Sequence, residues 1–206
     1  MSLEAHLFEA FASRPRPVAA GILRPASVSV DDRVPLVLAE RAVTEISTDD
    51  VNNVFAGNLW ALSPVAFRYY LPALMRFSLI SYRSVSVFAS ELVGALTRPE
   101  RDDVTESLDR LDLLSSEIAP SVSGVADLLR SQQLEWFDSG APTATFHERF
   151  DDLSAAEGDA VLRFLETFQE AHGADFPFGE LDAAITRYWS RFRASPGAES
   201  TGAEPT

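Results

Sequence analysis

The side chains best suited to chemistry lie in one short stretch, where His147 and Glu148 are followed by Asp151 and Asp152. Imidazole nitrogens and carboxylate oxygens are common metal ligands, so this stretch is the strongest candidate for a metal site. The other two histidines lie far away in the sequence, and none of the three has a second histidine at helical ligand spacing. We therefore interpret the stretch as a solvated segment at a helix entry, and we predict no metal.

Adjacent carboxylates are a second feature with catalytic potential, and they occur at Asp31-Asp32, Asp49-Asp50, Asp102-Asp103 and Asp151-Asp152. General acid–base catalysis needs two carboxylates that face each other across a substrate. Neighbouring residues on a helix point about 100° apart, so these pairs are better interpreted as first-turn charges that suit the helix dipole. The chain has no cysteine, no G-x-S-x-G elbow and no glycine-rich phosphate loop. We predict no catalytic residue and no cofactor, and an enzyme with a novel site is the alternative.

The candidate binding residues are Trp60, Arg68, Tyr69 and Tyr70, which form the concentrated polar and aromatic group of the sequence. Arginine, tyrosine and tryptophan commonly supply the hot spots of protein interfaces. The same side chains would also suit a small-ligand pocket. The alternative is that the aromatic residues belong to the core, with their polar tips hydrogen-bonded, and that Arg68 pairs with a nearby carboxylate.

These residues belong to the stretch 59–80, around which we expect the fold to be organised. Ser63 followed by Pro64 predicts a helix start, because serine caps the free amides and proline suits the first helical position. The apolar residues then follow three-and-four spacing, at Phe67, Tyr70, Leu71, Leu74 and Phe77. Pro72 predicts a kink, or alternatively a break into two helices at Leu71.

The segment LSPVAFRYYLP, with AFASRPRP near the start and RYW near the end, resembles a family of uncharacterised bacterial proteins, a domain of unknown function. The similarity is close over residues 59–77 and loose over residues 5–17. Over residues 150–189 only the pattern of residue types is similar. Val65 stands where the family hallmark has an acidic residue, and residues 101–141 look like an insertion or a divergent region. The resemblance implies a shared helical fold and no particular activity.

Shorter amphipathic patterns predict further helices around this centre. Single helices are predicted over residues 3–11, 36–42, 85–96 and 181–192. Residues 104–111 and 122–129 predict a helical hairpin. A further helix is predicted to begin at a capping box of Ser154 and Glu157 and to end at Gly173. A brief turn is expected from Thr48 to Phe55, a junction at 82–84, an extended segment at 27–30 and a loop at 139–142. We predict an all-α fold that forms a single domain over residues 1–194. About six to eight helices should surround a proline-kinked central helix, which packs on the last helix of the chain. Residues 195–206 should form a disordered acidic tail.

The chain has 206 residues and a net charge of −14, with a sequence pI near 4.5. This charge makes nucleic acid an unfavourable partner, because binding to phosphates depends on basic side chains. Two arginines and Pro72 argue against a membrane span over residues 59–80. The N-terminus shows no secretory signal, so we expect a cytoplasmic location.

Two hypotheses about function follow from the sequence. The favoured one is a non-enzymatic module that binds another protein, for example an immunity-like or regulatory partner of a basic protein, because a strongly acidic surface steers cationic partners. The alternative is an enzyme or small-ligand-binding protein with a pocket near Trp60, Arg68 and Tyr69. A weaker idea is peripheral membrane binding through residues 3–11. The sequence does not predict the oligomeric state.

Overall fold

Ten α-helical segments form the described part of the chain, which comprises residues 2–25, 33–118 and 123–193 of the computed structural model. They are α1 (Leu3–Ala10), α2 (Arg33–Glu40), α3 (Thr48–Asp50), α4 (Pro64–Ile80), α5 (Tyr82–Leu96), α6 (Arg101–Ile118), α7 (Ser123–Asp138), α8 (Ala141–Phe150), α9 (Ala155–His172) and α10 (Glu180–Arg187). The predicted all-α fold is confirmed, and these ranges contain no β-strand. The helices outnumber the six to eight predicted, because α3 is a single turn and α8 begins inside a stretch predicted as loop.

The central helix α4 begins where the sequence predicts. Ser63 Oγ accepts a hydrogen bond of 3.2 Å from a first-turn amide, and Pro64 takes the first helical position. The helix continues through Pro72, so the alternative of two helices broken at Leu71 is wrong. Pro72 has no N–H to donate to the carbonyl of Arg68, and the kink expected from this loss stays a prediction.

The apolar face of α4 lies in the hydrophobic core, as predicted. Phe67, Leu71 and Leu74 are fully buried. They belong to one cluster that also contains side chains from α1, α2, α5, α8, α9 and α10. The Phe67 ring packs edge-on against Phe150 of α8, with 5.6 Å between the ring centroids. Helices that are distant in the sequence therefore meet on α4.

The α6–α7 pair forms the helical hairpin that the sequence predicts, and it lies beside this core. None of its described side chains belongs to the central cluster, although Leu108 is buried within the hairpin region. Leu128 and Leu129 of α7 are 58% and 46% exposed, although they belong to the apolar spacing that predicts this helix. The reason is that α7 packs mainly on α6 and α8, which leaves this part of its surface uncovered.

Other boundaries confirm or correct the prediction. Ser154 and Glu157 form the expected capping box of α9. The last helix is shorter than predicted, because the backbone leaves the helical region at Tyr188 and continues as a 3-10 turn over Trp189–Phe192. It packs mainly on α5 and α9 rather than on α4.

The predicted extended segment 27–30 and the predicted tail 195–206 lie outside the described residues. Within the described ranges, no helix has the length and apolar character needed to cross a membrane.

Gly158 of α9 allows the close approach of Phe192. A Cβ atom at this position would lie 2.2 Å from a ring carbon of Phe192. We therefore expect Gly158→Ala to lower the free energy of unfolding by about 1–3 kcal/mol, as overpacking substitutions do. Chemical denaturation measures this effect.

Gly94 of α5 provides the matched control, because a Cβ atom there meets no atom within 4 Å. Gly94→Ala should leave stability unchanged or raise it by up to about 1 kcal/mol, because alanine is the better helix former. Equal destabilisation by both substitutions would contradict the proposed role of the Phe192 contact.

Candidate functional site

An acidic groove lies between the hairpin and the body of the protein. Its walls come from α6, the end of α5, and α10 with the loop before it, and its volume is about 830 Å³. Two arginines line it together with seven carboxylates, which are Glu100, Asp102, Asp103, Glu106, Asp175, Glu180 and Asp182. Part of the chain's negative charge is therefore concentrated around this space, which we call the acidic groove.

Both arginines of the acidic groove are held by its own residues. Arg187 of α10 donates hydrogen bonds from Nη1 and Nη2 to the two carboxylate oxygens of Asp103, at 2.5 and 2.9 Å. Its Nε lies 3.4 Å from an oxygen of Glu100. The hydrogen bonds that Arg187 donates to Asp103 raise the pKa of Arg187 above its ordinary value, so this arginine stays charged. The guanidinium carbon of Arg110 lies 4.5 Å from the ring centroid of Phe178, a side chain that is 68% exposed.

Three carboxylates of the acidic groove remain available. Among the described residues, no basic group lies within 4 Å of the carboxylates of Asp102, Glu106 or Asp182. Asp102 and Glu106 are four residues apart on α6, so both side chains lie on the same face. All three residues are exposed. The groove can therefore accept further basic groups.

The four predicted binding residues do not form one surface. Trp60 is 52% exposed, whereas Arg68 and Tyr70 are buried and Tyr69 is partly buried. The hydroxyl of Tyr70 donates a hydrogen bond of 2.5 Å to the carbonyl of Leu38, and burial raises its pKa to about 12. This placement agrees with the alternative that the tyrosines are core residues with bonded polar tips, and a role of the four residues in binding stays a prediction.

Arg68 connects α4 to the C-terminus of α8. Its Nη1 donates hydrogen bonds to the carbonyls of Glu148 and Arg149, at 2.8 and 3.1 Å, and its Nη2 lies 3.6 Å from a carboxylate oxygen of Asp152. A cation at a helix C-terminus is favourable because the free carbonyls carry partial negative charge. Burial lowers the pKa of Arg68, and the neighbouring Arg14 lowers it further. The position of Arg68 is consistent with a structural role.

The side chains of His147, Glu148, Asp151 and Asp152 do not point toward one common position. His147 Nδ1 lies 3.0 Å from an oxygen of Asp151, while Glu148 pairs with Arg24 and Asp152 pairs with Arg14. In the ranges that the structure describes, no group of three such ligands is close enough to hold a metal ion.

The acid pairs have different positions in the fold. Asp49-Asp50 and Asp102-Asp103 lie in the first turns of α3 and α6, as predicted. Asp151 instead follows the end of α8, so the first-turn interpretation of Asp151-Asp152 is wrong. Asp31-Asp32 lies outside the described residues.

Sequence reasoning did not identify the acidic groove. Its carboxylates come from two regions of the chain, 100–106 and 175–182, which look like ordinary solvated segments when each is considered alone. The four-residue spacing of Asp102 and Glu106 was the one available signal. No family model, curated protein or solved structure compared with the chain matches it, so the family resemblance carried by LSPVAFRYYLP stays a prediction.

Proposed function

We propose that this protein is a non-enzymatic interaction module that binds an arginine- or lysine-rich segment of another protein in the acidic groove. The observation that carries the proposal is the set of seven carboxylates around one groove, three of which are exposed and have no basic group of a described residue within 4 Å. Complementary charge of this kind gives specificity and speeds association. The net charge of −14 adds long-range attraction for a cationic partner.

Two internal contacts support a basic partner. Arg187 is bound by carboxylates and Arg110 lies over an aromatic ring, so the groove offers both surfaces that recognise a guanidinium. The exposed ring of Phe178 adds apolar area next to the charges. An incoming arginine or lysine would use the same surfaces together with Asp102, Glu106 and Asp182.

The test measures binding of an octa-arginine peptide by titration calorimetry at low and high salt. The triple variant Asp102→Asn, Glu106→Gln, Asp182→Asn should bind about tenfold more weakly, because each exposed ion pair contributes about 0.2–1 kcal/mol. Binding to the unmodified chain should also weaken as salt rises, since salt screens exposed charges.

A charge-matched control separates the acidic groove from net charge. Glu9→Gln, Glu40→Gln and Asp49→Asn remove three exposed carboxylates outside the groove, and these form no ion pair with a described residue. This variant should bind the peptide almost as tightly as the unmodified chain. Equal weakening by both triple variants, or no binding of the peptide at low salt, would overturn the proposal.

A further inference from the structure

A second cavity lies next to the acidic groove and has a different character. Its volume is about 430 Å³, and Thr97 and Pro99 line both spaces. Trp60 and Trp136 line the cavity and are 52% and 54% exposed, respectively. Two indole rings at the rim of one cavity provide flat apolar surface for a planar ligand.

Arg149 lines the same cavity and is 5% exposed. Its Nη2 donates a hydrogen bond of 2.6 Å to the carbonyl of Leu59, and its guanidinium carbon lies 4.4 Å from the ring centroid of Phe67. Its Nε is buried and has no acceptor among the described residues. Burial lowers the pKa of Arg149 to about 10, and the charge of Arg24 adds to this shift. Among the described residues, no carboxylate lies within ion-pair distance of Arg149, and Glu148 and Glu91 act on its charge from farther away. A buried cation with this incomplete compensation is unfavourable, so an anionic group here would stabilise it.

The other charged residues at the cavity limit the ligand's charge. Arg24 also lines it, with Nη1 3.0 Å from an oxygen of Glu148 and with a buried Nη2 that has no acceptor in the described part of the chain. Glu91 faces the same space, and its carboxylate accepts hydrogen bonds from the amides of Gly57 and Leu59 at 2.8 and 3.4 Å. Glu148 already compensates Arg24, so Arg149 is the cation that a ligand would neutralise. Glu91 favours a ligand with a single negative charge, because it would repel a multiply charged anion.

From these contacts we infer that the cavity binds a small aromatic carboxylate. The carboxylate would accept hydrogen bonds from Arg149 and Arg24, and the aromatic body would lie against Trp60 and Trp136. A volume of about 430 Å³ falls within the range of small-molecule sites, about 300–1,000 Å³. This site goes beyond the proposed function, because it lies outside the set of carboxylates that would bind a basic protein.

The test uses 2-naphthoate as the probe, with its neutral amide and acetate as comparison ligands. Titration calorimetry should detect 2-naphthoate binding, and both comparison ligands should bind at least tenfold more weakly, since one lacks the charge and the other lacks the ring. Arg149→Met should weaken 2-naphthoate binding by about 10- to 100-fold, the range for hydrogen bonds to charged groups. A thermal unfolding curve establishes that this variant is folded.

Trp136→Ala keeps the inference testable if Arg149→Met does not fold, because Trp136 is exposed and its removal disturbs little of the core. This variant should bind 2-naphthoate several-fold more weakly. Leu128→Ala is the control, since Leu128 is exposed on the same helix and does not line the cavity. The inference is overturned if 2-naphthoate does not bind, if its amide binds equally well, or if Trp136→Ala leaves the affinity unchanged.

Discussion

Replacing Phe67 by alanine should lower the free energy of unfolding by about 3–5 kcal/mol, the range for truncation of a buried phenylalanine. The side chain is fully buried, and it joins α4 to α8 through its contact with Phe150. Truncation would also remove the ring below the guanidinium of Arg149. Since domains of this size are stable by about 5–15 kcal/mol, a large part of the total would be lost. Urea denaturation followed by circular dichroism measures the change.

Val87→Ala is the matched control for this prediction. Val87 lies on α5 and is 82% exposed, so its truncation should change stability by less than about 0.5 kcal/mol. A loss of less than about 1 kcal/mol on replacing Phe67 would show that α4 does not have the central position described here.

The second large effect is expected at the ion pair between Arg14 and Glu157. Arg14 donates hydrogen bonds from Nε and Nη2 to the two oxygens of Glu157, at 2.5 and 2.8 Å, and Glu157 is 2% exposed. Glu157 also accepts a hydrogen bond of 2.7 Å from the amide of Ser154. Arg14 follows α1 and Glu157 lies in the first turn of α9, so this pair connects two helices that are far apart in the sequence.

Glu157→Gln should lower the free energy of unfolding by about 2–3 kcal/mol, because it removes the buried counter-charge of Arg14 and leaves only the exposed carboxylate of Asp152 as its partner. Glutamine can still complete the capping box, so the substitution tests the negative charge of Glu157 separately from its capping role. Glu170→Gln on the same helix is the control, because Glu170 is exposed and forms no ion pair with any residue in the described ranges. If the two variants lose the same stability, the ion pair does not contribute as proposed.

The same pair predicts a pH dependence. Burial raises the pKa of Glu157, but the hydrogen bonds from Arg14 and Ser154 outweigh this effect and hold the pKa below its ordinary value of 4.5. A carboxylate whose pKa is lower in the folded state contributes its full stability above the unfolded pKa, and this contribution disappears as the pH falls through the folded pKa.

The unmodified protein and Glu157→Gln should therefore differ in stability at neutral pH and approach each other below pH 4.5. Denaturation curves of both proteins over the acid range measure this convergence. A difference that stays constant through the acid range would exclude titration of Glu157 as its cause.

Local sequence signals predicted much of the helical structure, because they act through neighbouring backbone groups. Ser63 and Pro64 start α4, and Ser154 with Glu157 starts α9. Signals that depend on partners elsewhere in the chain were less informative. The loop composition at 139–142 did not predict that α8 begins at Ala141, and the apolar spacing on α7 did not indicate that Leu128 is exposed.

The sequence by itself determined the helical class, the start and buried face of the central helix, and the acidity of the chain, because these follow from neighbouring residues and from composition. Tertiary structure alone decided which charges meet. It brought acids from α6 and α10 around one groove, and it placed Arg149 beside Trp60 and Trp136 from separate parts of the chain. The physical reason is that side-chain spacing along one helix fixes which face is apolar, whereas the packing of several helices fixes which polar ends lie together.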